Sequence, residues 1–187
     1  MFAITMEGVS MRYRRAFVRG GSFFFTVVTH DRQPLFATEE AVATLREAFR
    51  RVKAQHPFHL EAMVVLPDHL HCLWILPPED ADFATRWRLI KTWFTKHCAA
   101  DPVGRVSRSG VTRHPRIWQH RYWEHAIRDE TDYSRHLDYI HYNPVKHGLV
   151  DRASAWPHSS FRKFVAAGVY APDWGSQVVQ LEDVGRE

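Results

Sequence analysis

Apolar positions along the chain change period several times, and each change marks an element. After the Gly20-Gly21 break, Ser22-Phe-Phe-Phe-Thr-Val-Val-Thr29 is dense in aromatic and β-branched residues and reads as a strand. Val42, Leu45, Phe49 and Val52 then recur at helical spacing. Thr38 stands where an N-cap belongs, Glu39 and Glu40 complement the positive end of the helix dipole, and His56-Pro57 stops the run. Phe58 to Leu66 and His69 to Leu76 read as two strands joined into a hairpin at Pro67-Asp68 and closed by Pro77-Pro78. A second helix is predicted from about Asp82, with Phe83, Trp87, Ile90 and Phe94 on one face. Ala99 to Pro115, with Gly104, Ser107, Ser109, Gly110 and several arginines, reads as a basic loop. Ile117 to Trp123 is expected to be the fourth strand, and Glu130 to about Tyr142 a third helix ended by Asn143-Pro144.

The order βαββαβα is the split βαβ pattern of an α+β, ferredoxin-like domain: one antiparallel sheet with two helices on one face, the other face expected to be free for a site. Residues 1–150 form this domain with a basic N-terminal arm. Residues 151–187 are expected to be a C-terminal extension that Trp156, Phe161, Phe164 and Trp174 pack onto the same body.

Composition narrows the class. The 187 residues are 45% hydrophobic and 25% charged, which fits a globular chain rather than a disordered or fibrous one. A formal charge of +4 suits a polyanionic partner, since each cation near a phosphate releases a condensed counterion. Cys72 and Cys98 stand in no CxxC spacing, which excludes a thiolate zinc site or disulfide framework and fits a reducing cytoplasm. No signal peptide pattern and no membrane-length apolar run is seen, so a cytoplasmic, nucleoid-associated protein that meets no membrane is expected.

Two features carry candidate chemistry. In the strand His69-Leu70-His71 both imidazoles project to one face, half of a metal site, while Leu70, Cys72 and Trp74 project to the other and pack under the helices. Alone, such a triplet is also what two half-exposed surface histidines look like. In the third helix, Tyr133, Leu137 and Ile140 share a face assigned to the core, whereas Tyr139 and Asn143, four apart, share another. A phenol suits DNA cleavage with rejoining, because attack on a phosphodiester leaves a covalent phosphotyrosine that stores the bond. A metal at the phosphate assists, and the Asn143 amide oxygen can complete its coordination. Such His and Asn ligands suit Mg²⁺ or Mn²⁺, the imidazoles favouring Mn²⁺ somewhat. Periodicity does not choose between Tyr139 and Tyr142. Arg14, Arg15 and Arg19 on the lead-in, Arg86, Arg88 and Lys91 on the second helix, Arg121 and Lys146 are the candidate DNA contacts. Trp118 and Trp123 are candidates to stack on bases or to sit in the core.

At these residues the chain resembles a known family. Leu66-Pro-Asp-His-Leu-His-Cys-Leu-Trp74, Trp87-Arg-Leu-Ile-Lys91, Ile117-Trp-Gln119 with Arg121, Trp123-Glu-His125 and Asp138-Tyr-Ile-His-Tyr-Asn-Pro-Val-Lys-His-Gly148 look like the REP-associated tyrosine transposases, domesticated relatives of the single-tyrosine insertion-sequence transposases. Tyr13-Arg-Arg15, Arg19-Gly-Gly21 and Phe24-Phe25-Thr26 fit as well, so the likeness runs from about residue 12 to 175. The resemblance implies the HUH endonuclease fold, metal-dependent nicking of single-stranded DNA and recognition of short palindromic hairpins of REP type. By motif position it implies Tyr139 as nucleophile and His69, His71 and Asn143 as metal ligands, with Tyr142 second. It leaves open a monomer or a homodimer, and a part for Glu124 and His125 in holding the metal ligands in place. Two rivals remain: a non-catalytic hairpin or single-strand binder with a vestigial site, and a metal phosphodiesterase that uses water.

Overall fold

The computed structural model describes residues 18–98 and 116–177, with 179, 181 and 184; Arg14, Arg15, the loop 99–115 and the remaining terminal residues lie outside the described residues. Four strands, β1 (Ser22–Val28), β2 (His59–Val65), β3 (His69–Ile75) and β4 (Trp123–Ala126), form one antiparallel sheet in the order β2-β3-β1-β4. This is the split βαβ arrangement expected from the hydrophobic pattern. Helices α1 (Glu39–Gln55) and α2 (Phe83–His97) cover one face.

The α1/α2 face holds the larger core. Phe23, Phe25 and Val27 of β1 and Leu70, Cys72 and Trp74 of β3 point into it, alternate residues of each strand as a pleated backbone dictates. They meet Val42, Leu45, Phe49 and Val52 of α1 and Phe83, Trp87, Ile90 and Phe94 of α2. The Trp74 and Trp87 rings stack with centroids 4.5 Å apart. Thr38 caps α1 as the sequence suggests, accepting a hydrogen bond from the Ala41 amide, and Asp82 caps α2, accepting one from the Thr85 amide.

The opposite face is not open. Helix α3 (Glu130–Lys146) and the segment that includes α4 (Phe161–Ala166) lie across it and bury a second apolar cluster. That cluster joins Phe24, Ala62, Val64 and Leu73 of the sheet to Leu137, Tyr139 and Ile140 of α3 and to Phe161, Phe164 and Tyr170. The face was expected to be free because a four-stranded sheet with two helices needs nothing more to fold. The C-terminal residues supply the extra apolar surface, and α3 is held down with them.

Two boundaries moved. The fourth strand begins at Trp123, where the expectation had it end. Ile117 to Gln119 instead run beside the end of β1, making single backbone contacts with Val28, Thr29 and His30. Helix α3 continues through Pro144 to Lys146. A proline near a helix end forfeits one hydrogen bond, and the turn that follows is recovered by a Schellman closure. The Gly148 amide donates to the Val145 carbonyl and the Leu149 amide to the Pro144 carbonyl, with Gly148 at φ +65°. It is glycine, not proline, that ends this helix.

Candidate active site

His69 and His71 project from β3 toward α3, and both are buried. Their ring centroids are 4.9 Å apart. Each Nδ1 has a side-chain partner. His71 Nδ1 lies 2.9 Å from Thr26 Oγ1, its direct cross-strand neighbour on β1. His69 Nδ1 lies 2.5 Å from Asp68 Oδ1 in the hairpin turn. With Nδ1 protonated, both histidines donate to these oxygens and leave the Nε2 lone pair on the far side of each ring. That is the tautomer and the outer-shell partner a metal-binding imidazole requires. Burial pushes the Asp68 carboxyl up, but hydrogen bonds from His69 and Arg32 outweigh it and hold it below its ordinary value. The turn itself is pinned by Thr29, whose amide and hydroxyl both donate to the Asp68 carbonyl.

Helix α3 brings the phenol. The Tyr139 ring meets His71 edge to face with centroids 5.0 Å apart, and the His147 ring meets His69 at 5.2 Å. Asn143, buried, lies midway between these two on the same helix face, at i+4 from Tyr139 and i−4 from His147. The three residues thus form one line along α3 opposite the histidine pair. Tyr142 leaves in another direction and packs on Trp174 with centroids 6.3 Å apart. Tyr139 is only 1% exposed. Its face was expected to differ from the core face of Leu137 and Ile140, yet it joins the same cluster, because α3 lies flat on the sheet and buries a wide stripe. Tyr133, expected in that core, packs against its edge half-buried; desolvation and the Glu61 carboxylate push its phenol up to about 12.

The donor set around His69 and His71 fits a divalent cation: two neutral imidazoles, an amide oxygen at Asn143, and room in the ligand count for water or phosphate oxygens. A second group of possible donors lies at the far end of α3. His125, Asp132 and His136 bring ligand atoms within 4.8 Å of one another, a spacing a divalent cation can bridge. In the geometry described, the His125 and His136 rings stack at 4.5 Å with 14° between planes, so their in-plane lone pairs run parallel rather than converge. Asp132 Oδ2 already accepts from His125 Nε2 at 2.7 Å and from the Arg128 amide and guanidinium. Burial pushes the Asp132 carboxyl up, but these bonds pull it far below its ordinary value. Here the group ties the start of α3 to β4. This answers the expectation for His125. Glu124, adjacent on the strand, faces the α1/α2 side, as does its neighbour Phe25 across the ladder.

The expected DNA contacts divide. Arg88 and Arg121 are exposed, and Arg19 is exposed with an ion pair to Glu79 at 2.8 Å. Arg86 does not belong among them. It is 4% exposed, and its guanidinium binds Asp80 at 2.6 Å and the carbonyls of His56, Pro57 and Asp82. A buried guanidinium needs such a full set of acceptors, and the charge pattern alone could not reveal that its donors were spent inward. Lys91 lies over Trp118 and Tyr122, 5.5 and 5.3 Å from their centroids, and desolvation lowers its pKa to about 8. Trp118 packs on Phe36 and Phe94, and Trp123 on Phe24, so both serve the cores. Lys146 donates to the Tyr139 phenolic oxygen at 3.2 Å. Thr26, Asp68 and His147 escaped the sequence reading. Asp68 had a signal, being adjacent to His69, while His147 was lost when the helix was ended at Pro144.

Comparison with known proteins defines the class as transposase-like DNA-processing enzymes. No family model matches the chain. It is 45% identical over 169 residues to a REP-associated tyrosine transposase of Escherichia coli (strain K12), covering 90% of this chain and 93% of that protein. It is 42% identical over 163 residues to a Haemophilus influenzae protein described by the same family name, covering 87% and 92%. A solved structure of a REP-associated tyrosine transposase bound to a REP hairpin superposes with a TM-score of 0.78 at 44% identity, covering 94% of this chain and 98% of that one. The chain belongs to the REP-associated tyrosine transposases.

Proposed function

We propose that this protein is a metal-dependent single-strand DNA endonuclease and strand transferase that recognises REP-type hairpins and cuts through a 5′-phosphotyrosine on Tyr139. The observation that carries the reading is the contact between Tyr139 and His71, which brings a phenol against an imidazole pair. In the reaction the Tyr139 oxygen bonds to phosphorus and the 3′ oxygen departs, so the DNA end is kept and can be rejoined. His69, His71 and Asn143 are the residues to hold Mg²⁺ or Mn²⁺, which when bound would polarise the scissile phosphate. Asp68 and Thr26 fix the two rings. Arg19, Arg88 and Arg121, with Arg14 and Arg15 of the arm, are the cations to meet the phosphates. Support for a hairpin substrate comes from the relative solved with a REP hairpin.

The near-complete burial of Tyr139 favours one alternative, a hairpin binder whose site is vestigial. Incubation with a labelled single-stranded hairpin and Mn²⁺, followed by denaturing electrophoresis, separates the readings. A DNA adduct that survives SDS supports the proposal. Cut DNA without an adduct means a water-based phosphodiesterase, and binding without cutting means the vestigial binder.

A further inference from the structure

Lys146 and Tyr139 are both on α3, seven residues apart, which at 3.6 residues per turn returns them to the same side of the helix. Helical side chains lean toward the N-terminus, so the long Lys146 side chain reaches back along the helix to the phenol. Its Nζ donates to the Tyr139 oxygen at 3.2 Å and stands 4.8 Å from the ring centroid. The phenol is buried and the lysine is exposed, so the ammonium covers the phenol on the solvent side. An incoming phosphodiester would meet the nucleophile where this cation already sits.

We propose that Lys146 is a catalytic residue of strand cleavage and rejoining: its ammonium holds the Tyr139 oxygen and carries the positive charge against which that oxygen becomes negative. This rests on the reading of Tyr139 as the nucleophile. In cleavage the bond from the Tyr139 oxygen to phosphorus forms and the bond from phosphorus to the 3′ oxygen breaks. The phenolic proton passes to water and the departing 3′ oxygen takes one from water. In rejoining the 3′ hydroxyl gives its proton to water and its oxygen attacks phosphorus, while the Tyr139 oxygen leaves as a phenolate beside the ammonium and then takes a proton from water. A fixed cation at the developing charge needs no reorganisation during the step, which is why such groups act on rate more than on binding.

Two duller roles predict different behaviour. A lysine that only contacts a DNA phosphate acts through affinity, and its loss lowers the salt slope of binding by about one. A lysine that only supports the fold acts through stability. The experiment measures adduct formation in single turnover, with hairpin DNA saturating and Mn²⁺ present, for wild type, Lys146→Ala, Lys146→Gln, Lys146→Arg and Tyr139→Phe. Hairpin affinity, its salt slope and the thermal midpoint are measured on each. The expected result is a loss of about 100-fold in the saturated rate for Ala and Gln. Affinity, slope and midpoint should stay at wild-type values, and Arg should recover most of the rate. A wild-type rate for Lys146→Gln overturns the proposal. So does an equal loss with Arg, or a loss confined to affinity. An adduct that persists in Tyr139→Phe overturns the nucleophile assignment itself, a separate failure.

Discussion

His71 touches Tyr139 edge to face at 5.0 Å between centroids and, through Nδ1, reaches Thr26 at 2.9 Å. One imidazole therefore joins the sheet to the tyrosine helix, and the chemistry proposed for Tyr139 depends on that joint.

The two tyrosines one turn apart on α3 should separate cleanly. Tyr139→Phe is expected to abolish the covalent adduct while hairpin affinity is kept, because a single oxygen is removed from a ring that still packs on Phe24 and His71. Tyr142→Phe should leave the adduct, since that ring packs on Trp174 away from the histidines. Denaturing electrophoresis of the labelled hairpin reads both, and the reverse pattern reassigns the nucleophile.

Removing the partners of the ring nitrogens should weaken the metal without removing a ligand. Asp68→Asn and Thr26→Val are each expected to raise the Mn²⁺ concentration needed for half-maximal cleavage by about 10–100-fold, the usual cost of losing an outer-shell partner. His71→Ala should remove metal-supported cleavage altogether. Cleavage that continues in the presence of a chelator would mean that no cation takes part.

Arg86 and Arg121 look alike in sequence and should behave oppositely. Arg86→Met leaves Asp80 and the surrounding carbonyls without their donor, which should cost about 3–5 kcal/mol in a denaturant titration. Arg121→Ala should leave stability within about 0.5 kcal/mol but weaken hairpin binding, with a salt slope smaller by about one. A stable Arg86→Met protein with a reduced salt slope would reverse these assignments.

The link between α3 and β4 should be visible in acid. The folded Asp132 carboxyl titrates below its unfolded value, so its contribution is complete above about pH 4 and is lost as the pH falls through the folded value. Asp132→Asn should lower stability at pH 7 by about 2 kcal/mol, the scale of hydrogen bonds to a charged group. The gap between wild type and variant should narrow steadily as the pH falls below about 4 toward the folded value. Thermal midpoints measured from pH 7 to pH 2 test this, and a gap that stays constant across that range rules out the carboxylate as its source.

Much of this protein is decided by local pattern. The alternation in β1 and β3, the stripe of Val42, Leu45, Phe49 and Val52, and the cap at Thr38 are short-range consequences of backbone geometry, so the first three strands and the α1/α2 face could be read from the chain. The same period-2 rule put His69 and His71 on one side of the sheet, opposite Leu70, Cys72 and Trp74. What lay beyond local pattern was everything that depends on elements distant in sequence packing together. Only the placement of α3 on the sheet aligned Tyr139, Asn143 and His147 with the histidine pair and turned Tyr142 toward Trp174. Only tertiary packing filled the expected open face with Phe161, Phe164 and Tyr170, and took Arg86 inside. A charge, a phenol or an imidazole carries no mark in the sequence of which partner it will meet, because that partner is chosen by how two buried surfaces fit.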